Sequence, residues 1–272
     1  MKVLIGCPVY QKPKILKEFL ISLKELEIND IEVNYIFIND NVNQESSSIL
    51  YDFKKDMDTS KNEERVRIIK SNFRSLYICD ENKHKWNQTL TKKLALFKNL
   101  IIEEFKKMDF DYLFLVDSDL IFNKRTLKKL LDNNKEIVTN IYWTQWSKEE
   151  EYKPQVWLKD DYKLYNLSIG ERISDSDKSD REKHFLKMLK KKGLYKVGGV
   201  AGAILLSKEA INKGANFDLI YNLSYLREDR HFSIRVAALG LDLYVDTTYP
   251  ALHLYREEDL NENLMKYKFE NR

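Results

Sequence analysis

The chain has 272 residues, of which 43% are hydrophobic and 33% are charged, and its formal net charge is +3. This is enough apolar material for the core of one α/β domain. Such a small net charge gives no general attraction to nucleic acids or membranes, and no apolar run approaches the ~18 residues of a transmembrane segment. Cys7 and Cys79 lack metal-ligand spacing and no secretory signal is recognisable, so we predict a cytoplasmic protein.

Strands and helices are predicted to alternate through the first half of the chain. Short apolar runs predict strands, and apolar residues at steps of three and four predict helices. In chain order we predict strand 3–6, a helix from residue 13, strand 33–38, helix 46–57, strand 66–69, helix 90–107, strand 112–116, helix 124–131 and strand 137–141. This alternation predicts a parallel sheet covered by helices on both faces.

The second half of the chain is less regular. The charged stretch 174–183 is predicted to be an exposed loop leading into a helix. A buried strand over 204–206, a helix over 228–239 and strands over 243–245 and 251–254 follow. Because no linker rich in Pro, Gly or Ser divides the chain, we predict a single domain over 1–272.

Two carboxylates end the most apolar predicted strand. Asp117 and Asp119 follow the run 112–116, separated by Ser118. Side chains at i and i+2 of an extended chain point the same way, and open α/β sheets bind ligands at this edge. The pair is therefore placed to converge on one cation or one metal-bound phosphate. The structural alternative is a pair of solvated acids, one of which caps the next helix.

Six short segments occur in a characteristic order. They are Cys7-Pro8-Val9-Tyr10, Asn39-Asp40-Asn41, Lys98-Asn99, Asp117-Ser118-Asp119, the segment from Glu228-Asp229 to Arg235, and His253 to Arg256. In this order they resemble the nucleotide-sugar-dependent glycosyltransferases with the GT-A fold, most closely those of family 2. The resemblance implies a mainly parallel, Rossmann-like α/β sheet flanked by helices, with a nucleotide-binding half over 1–141 and a C-terminal acceptor-binding half over 142–272.

The resemblance also implies residues that hold the donor. Pro8, Val9 and Tyr10 would lie against the base and ribose, and Asp40 would accept a hydrogen bond from the imide N–H of uracil. The residues after Asp40 depart from the usual Gly-Ser, and a simple turn is the alternative for this segment. Lys98, Asn99, Asp117 and Ser118 would complete the nucleotide-sugar site, although a solvated helix position is the alternative for Lys98.

Metal binding and catalysis are implied for a further set of residues. Asp117, Asp119 and His253 would hold Mn²⁺ or Mg²⁺, which offsets charge on a diphosphate leaving group. Asp229 would be the general base of an inverting transfer, with stabilisation of the helix dipole as the alternative. Gly199, Trp143 and Glu228 are expected on the acceptor side, where Tyr142, Trp146 and Trp157 also fall, although aromatic residues are often ordinary core.

The predicted activity is metal-dependent transfer of a sugar from a nucleotide-diphosphate sugar, with UDP as the expected nucleotide, to an acceptor hydroxyl with inversion. The sequence does not indicate whether the acceptor is a glycan, a lipid, a small molecule or a peptide. A retaining enzyme of the same fold and a non-catalytic relative are the alternatives. A phosphohydrolase fits poorly because Asp117 follows several strands, and a sugar nucleotidyltransferase fits poorly because the loop 7–13 has no glycine.

Overall fold

The computed structural model describes residues 1–58, 64–73, 87–224 and 227–270, so Cys79 lies outside the described residues. The strands are β1 Lys2–Val9, β2 Glu32–Asn39, β3 Val66–Lys70, β4 Tyr112–Val116, β5 Leu120–Ile121, β6 Ile137–Thr144, β7 Lys153–Pro154, β8 Val156–Trp157, β9 Leu194–Val197, β10 Gly199–Val200, β11 Ala203–Ser207 and β12 Leu243–His253. The helices are α1 Pro13–Lys24, α2 Gln44–Met57, α3 Gln88–Lys106, α4 Thr126–Asp132, α5 Asp175–Leu189, α6 Lys208–Asn212, α7 Glu228–Ala238 and α8 Glu262–Glu270, and a 3₁₀ turn covers Glu257–Leu260.

One mixed sheet runs through the molecule in the order β3-β2-β1-β4-β11-β6-β12-β5, with β7 beside β6 and β9 beside β12. The pairs β1–β2, β1–β4, β2–β3 and β6–β12 are parallel. The sheet is mixed because β11 lies antiparallel between β4 and β6. The short strands β5, β7 and β9 also pair antiparallel with their neighbours. All five residues of β11 are buried, and such a short apolar run carries no information about strand direction.

Apolar side chains cover both faces of this sheet. On β1, Val3 and Ile5 belong to a core cluster that includes residues of α1, α2 and α4. Leu4, between them, belongs to a second cluster that includes residues of α3, α6 and α7. This alternation is the period of two expected for a strand buried on both faces. The helices therefore cover both faces, as the sequence predicts.

The charged stretch 174–183 is helical, so the prediction of an exposed loop there is wrong. Ser174 caps α5, since its Oγ accepts a hydrogen bond from the backbone N–H of Asp177, whose carboxylate in turn accepts from the N–H of Ser174. This reciprocal capping supports the first helical turn. Phe185 and Leu189 are the buried residues of α5, so its polar N-terminal turns remain in solvent and show no apolar period in the sequence.

Within the described ranges, no helix combines the length and the low charge needed to cross a bilayer.

Candidate functional site

A cavity of about 510 Å³ opens at the carboxyl ends of β1, β2 and β4. Three of its walls are the loops that follow these strands, and a fourth is the segment after β12. The lining residues are 8–13, Ile15, 40–43, Leu90, Lys93, Leu94, Phe97, 117–119 and 255–258. Of the residues predicted to hold a nucleotide sugar, Pro8, Val9, Tyr10, Asp40, Asp117 and Ser118 are on this wall.

One end of the cavity contains a nearly buried ion pair. Lys93 of α3 contacts the carboxylate of Asp40, and their side chains are only 7% and 8% exposed. The turn around Asp40 is held by amides, because Asn39 Oδ1 accepts from the backbone N–H of Asn41 at 3.1 Å. Asn41 Oδ1 in turn accepts from the N–H of Gln11 at 2.8 Å. Asparagine side chains thus support this turn, where the family pattern has glycine and serine.

At the other end of the cavity, the carboxylate of Asp119 meets the imidazole of His253, which is not itself among the lining residues. His253 Nε2 lies 3.3 Å from Asp119 Oδ2, while His253 Nδ1 lies 2.9 Å from Thr144 Oγ1. The hydroxyl of Thr144 thus orients the ring so that Nε2 faces the carboxylate, in the way that an outer partner fixes a metal-binding histidine. Asp117 lies at the same edge, and its backbone N–H donates to the carbonyl of Gly202 at 2.8 Å.

These residues fit a divalent cation that is shared with a substrate. In the described part of the chain, no group of three or more His, Cys, Asp and Glu side chains forms a complete metal cage. Mg²⁺ and related ions commonly take one or two carboxylates from the protein and complete their coordination with phosphates and water. Asp117 and Asp119, which line the cavity, together with His253 in contact with Asp119, match that partial ligand set.

The side chains of Lys98 and Asn99 do not point into the site where they were predicted to contact the nucleotide sugar. The Lys98 ammonium is 4% exposed, donates to Glu228 Oε1 at 2.8 Å and lies 3.9 Å from Asp117 Oδ1. Asn99 Nδ2 donates to Asp218, and Asn99 Oδ1 accepts from the N–H of Phe217 at 2.7 Å. Neither residue is among those that line the cavity. Their positions therefore do not support direct contact with a phosphate, and Lys98 is not at a solvated helix position either.

Asp229 lies at the start of α7 and is 4% exposed. Its Oδ1 accepts two hydrogen bonds, from the Tyr162 hydroxyl at 2.8 Å and from the backbone N–H of Arg230 at 2.7 Å. Burial, reinforced by the nearby charge of Glu228, raises the pKa of Asp229 to about 6, against the opposing effect of Arg227. A carboxylate with a pKa close to neutrality is suited to accept a proton.

The Tyr142 hydroxyl is close enough to the cavity carboxylates and to Asp229 to interact with the charges of all three. Burial and the charges of Asp117, Asp119 and Asp229 raise the pKa of its hydroxyl well above the usual value. Its ring packs edge-on against His253, with ring centroids 5.4 Å apart. The buried polar groups at the ends of β4, β6 and α7 therefore share one neighbourhood.

The residues predicted on the acceptor side make close internal contacts. A Cβ at Gly199 would lie 1.9 Å from the Trp157 ring, so only glycine lets β10 approach that side chain. Trp143 packs against the second core cluster, and Lys190 Nζ lies 6.0 Å from its ring centroid. Glu228 is buried against Lys98. An acceptor-binding role for these three residues stays a prediction.

No protein-family model and no curated protein matches the sequence, but solved structures match the fold. The structure of S. aureus TarS 1-349 in complex with UDP superposes with a TM-score of 0.51 at 14% identity, over 93% of this chain and 60% of that one. The chain has the GT-A fold. The predicted fold class, a mainly parallel α/β sheet flanked by helices, is thereby confirmed. The mannosyltransferase PcManGT from Pyrobaculum calidifontis, in complex with GDP-Man and Mn²⁺, also matches, with a TM-score of 0.49 at 12% identity over 90% of this chain and 56% of that one.

On this GT-A fold the chain spans about 60% of the length of the TarS chain that it matches. Its site includes three side chains that the sequence did not indicate, Lys93, Thr144 and Tyr162. Lys93 had a usable signal, because it falls on the same face of α3 as Leu90 and Phe97, at steps of three and four. Tyr162 had none, since it is separated from Asp229 by 67 positions and lies in an irregular segment.

Proposed function

We propose that this protein is a metal-dependent glycosyltransferase that moves a sugar from a nucleotide-diphosphate sugar to an acceptor hydroxyl. The observation that carries the proposal is the 510 Å³ cavity that runs from the Asp40–Lys93 pair to Asp117 and Asp119. Asp40 beside apolar side chains of α3 suits a nucleobase, and Asp117 and Asp119, with His253 in contact with Asp119, suit a metal-bound diphosphate. This arrangement lies at the carboxyl edge of the sheet, where open α/β folds bind nucleotides.

We propose a uridine nucleotide as the donor. The carboxylate of Asp40 accepts the imide N–H of the base, and Lys93 holds that carboxylate at the cavity wall. Leu94 and Phe97 of α3 provide apolar surface beside this end of the cavity. The TarS structure has UDP bound, so this fold accommodates such a ligand.

We further propose that Asp119 and His253 hold Mn²⁺ or Mg²⁺ at the diphosphate, with Asp117 beside them. When bound, the cation offsets the negative charge that grows on the leaving group as the glycosidic bond breaks. The residues of the chain then bind and orient the donor, and the Thr144 hydroxyl keeps the His253 ring in its ligating orientation.

Asp229 is proposed as the general base. Its Oδ1 is occupied by Tyr162 and by the backbone of Arg230, and in the described part of the chain we find no hydrogen bond to its Oδ2. Oδ2 is therefore the oxygen that takes the proton of the acceptor hydroxyl as that oxygen attacks the anomeric carbon. Attack from the face opposite the leaving group inverts the configuration.

The decisive experiment incubates the protein with a panel of nucleotide sugars and measures release of nucleoside diphosphate, with water or added glycans as acceptors. We expect turnover with a UDP-sugar in Mn²⁺ and none in excess EDTA. Asp229→Asn keeps the shape and removes the basicity, so transfer falls by roughly 10²–10⁴-fold while donor affinity is retained. Product NMR reports the anomeric configuration, and retention would replace the inverting mechanism with the retaining alternative.

A further inference from the structure

A short turn joins the region around β8 to the candidate base. Lys159 and Lys163 pair across it in a single antiparallel bridge, and Asp160, Asp161 and Tyr162 form its tip. Asp161 and Tyr162 both have left-handed backbone conformations, with φ of 66° and 57°. An aromatic residue rarely adopts this conformation, and such outliers persist only where surrounding contacts enforce them.

Two sets of contacts hold this turn in place. Asp160 binds Arg230 through both carboxylate oxygens, from Nε at 2.7 Å and from Nη2 at 3.0 Å. The Arg230 side chain is only 7% exposed, so this bidentate pair is partly shielded from water. The Tyr162 ring packs edge-on against buried Trp157, with centroids 4.6 Å apart. The turn is thus fixed to α7 on one side and to β8 on the other.

These contacts place the Tyr162 hydroxyl within hydrogen-bond distance of the candidate base, Asp229. The Tyr162 hydroxyl donates to Asp229 Oδ1 at 2.8 Å. Together with the backbone N–H of Arg230, it saturates one oxygen of the carboxylate. A carboxylate held in this way presents its other oxygen in one direction.

We propose that Tyr162 is a positioning residue that orients the Asp229 carboxylate for proton transfer, and that the Asp160–Arg230 pair supports it. This inference rests on the proposed function of Asp229 as the general base. Tyr162 keeps its own proton throughout, and the acceptor proton passes to Oδ2 of Asp229. The strained turn therefore serves to place a single hydroxyl.

Charged groups that face Asp229 affect the pKa of its carboxyl in addition to Tyr162. Glu228 raises its pKa, whereas Arg227 and Lys98 lower it, as does the hydrogen bond from Tyr162. Loss of the hydroxyl alone therefore moves the pKa of Asp229 upward, while the charges around it remain.

The test compares Tyr162→Phe, which keeps the ring against Trp157, with wild type and with Tyr152→Phe as the matched control, since Tyr152 is 50% exposed. We expect kcat to fall about tenfold in Tyr162→Phe with donor KM unchanged, and the acidic limb of the pH–rate profile to move to higher pH. Asp160→Ala, which removes the bidentate partner of Arg230, should change kcat and the pH profile in the same direction. In the Asp229→Asn background, Tyr162→Phe should have no further effect on kcat.

A second readout does not depend on catalysis. Titration of the Asp229 carboxyl by ¹³C NMR, assigned by its loss in Asp229→Asn, should show a higher pKa in Tyr162→Phe than in wild type. If the wild-type protein transfers no sugar but the pKa of Asp229 is higher in Tyr162→Phe than in wild type, the proposed function fails. The hydrogen bond between Tyr162 and Asp229 is then still supported. If Tyr162→Phe matches wild type in kcat, pH profile and carboxyl pKa, the positioning role is overturned although the protein is a glycosyltransferase.

Discussion

Lys98 Nζ donates to Glu228 Oε1 at 2.8 Å inside the protein, which joins the middle of α3 to the first turn of α7. Both side chains are at most 4% exposed, and Glu228 Oε2 is buried without a hydrogen-bond partner among the described residues. Burial lowers the pKa of Lys98, but the charges of Glu228 and Asp117 outweigh it and leave the pKa raised. The ammonium is therefore a charged link between Asp117 at the cavity and the helix that carries Asp229.

We expect loss of this link to be costly. Lys98→Met leaves the buried carboxylate of Glu228 and the partly exposed carboxylate of Asp117 without their counter-charge. Removing one partner of a buried pair such as Lys98–Glu228 typically costs about 3–5 kcal/mol. Urea denaturation measures the free energy of unfolding. Lys213→Met is the control, because Lys213 pairs with Glu136 at the surface, with exposed fractions of 53% and 41%, where a pair contributes about 0–1 kcal/mol. If Lys98→Met and Lys213→Met lowered the free energy of unfolding by the same small amount, this account would be contradicted.

Metal dependence can be measured through nucleotide binding. Asp119→Asn removes a negative ligand, so UDP affinity in Mn²⁺ should fall to about the level that wild type shows in EDTA, a loss of at least about tenfold. Calorimetry in both conditions gives the two constants. Asp180→Asn, on the exposed part of α5, should behave as wild type. UDP affinity in wild type that is the same with Mn²⁺ and with EDTA would argue against a metal at this site.

Base selectivity should depend on Asp40. Asp40→Asn replaces a charged acceptor by an amide and removes the carboxylate that Lys93 contacts. We therefore expect UDP to bind about 10–100-fold more weakly, the equivalent of roughly 1.5–3 kcal/mol for one hydrogen bond to a charged group. Asp52→Asn on exposed α2 is the control. Wild type should bind UDP more tightly than ADP or GDP in the same calorimetric experiment. Binding of GDP at least as tight as UDP would refute uracil recognition by Asp40.

The pH dependence of transfer should report Asp229. Burial, followed by the charge of Glu228, raises its pKa to about 6, and a general base works only when it is deprotonated. The rate at limiting substrate should therefore be half-maximal near pH 6 and should fall tenfold for each pH unit below that. A profile of kcat/KM from pH 4.5 to 8 measures this. A rate that is constant down to pH 4.5 would exclude Asp229 as the base.

The same pKa predicts an effect on stability with a defined sign. A carboxyl whose folded-state pKa is raised contributes stability that is present below its unfolded pKa near 4 and is lost as pH rises through about 6. At pH 8 the ionised Asp229 is thus unfavourable to folding, and Asp229→Asn should increase the free energy of unfolding by about 1–2 kcal/mol. At pH 4 the difference should disappear. Urea denaturation at the two pH values checks this, and a destabilised variant at pH 8 would contradict it.

The amino-acid sequence by itself determined the elements and the edge at which the site lies. Apolar runs and helical spacing located the main strands and helices, and the run 112–116 ending in Asp117 and Asp119 placed the carboxylates at the cavity. Local patterns suffice there because each depends on residues within a few positions of one another. The N-terminal turns of α5 were predicted as a loop because they face solvent and are stabilised by Ser174, without an apolar period.

Only the tertiary structure decided which side chains meet. Lys98 reaches Glu228 across 130 positions and Thr144 reaches His253 across 109. These contacts depend on the order of the sheet, in which β11 enters antiparallel between β4 and β6. Strand order and direction are set by the packing of both faces at once, which no short stretch of sequence encodes. Lys98 was predicted to lie at a phosphate, and in the structure its ammonium lies against the carboxylates of Glu228 and Asp117. The buried charge of Glu228 requires such a counter-charge in the interior.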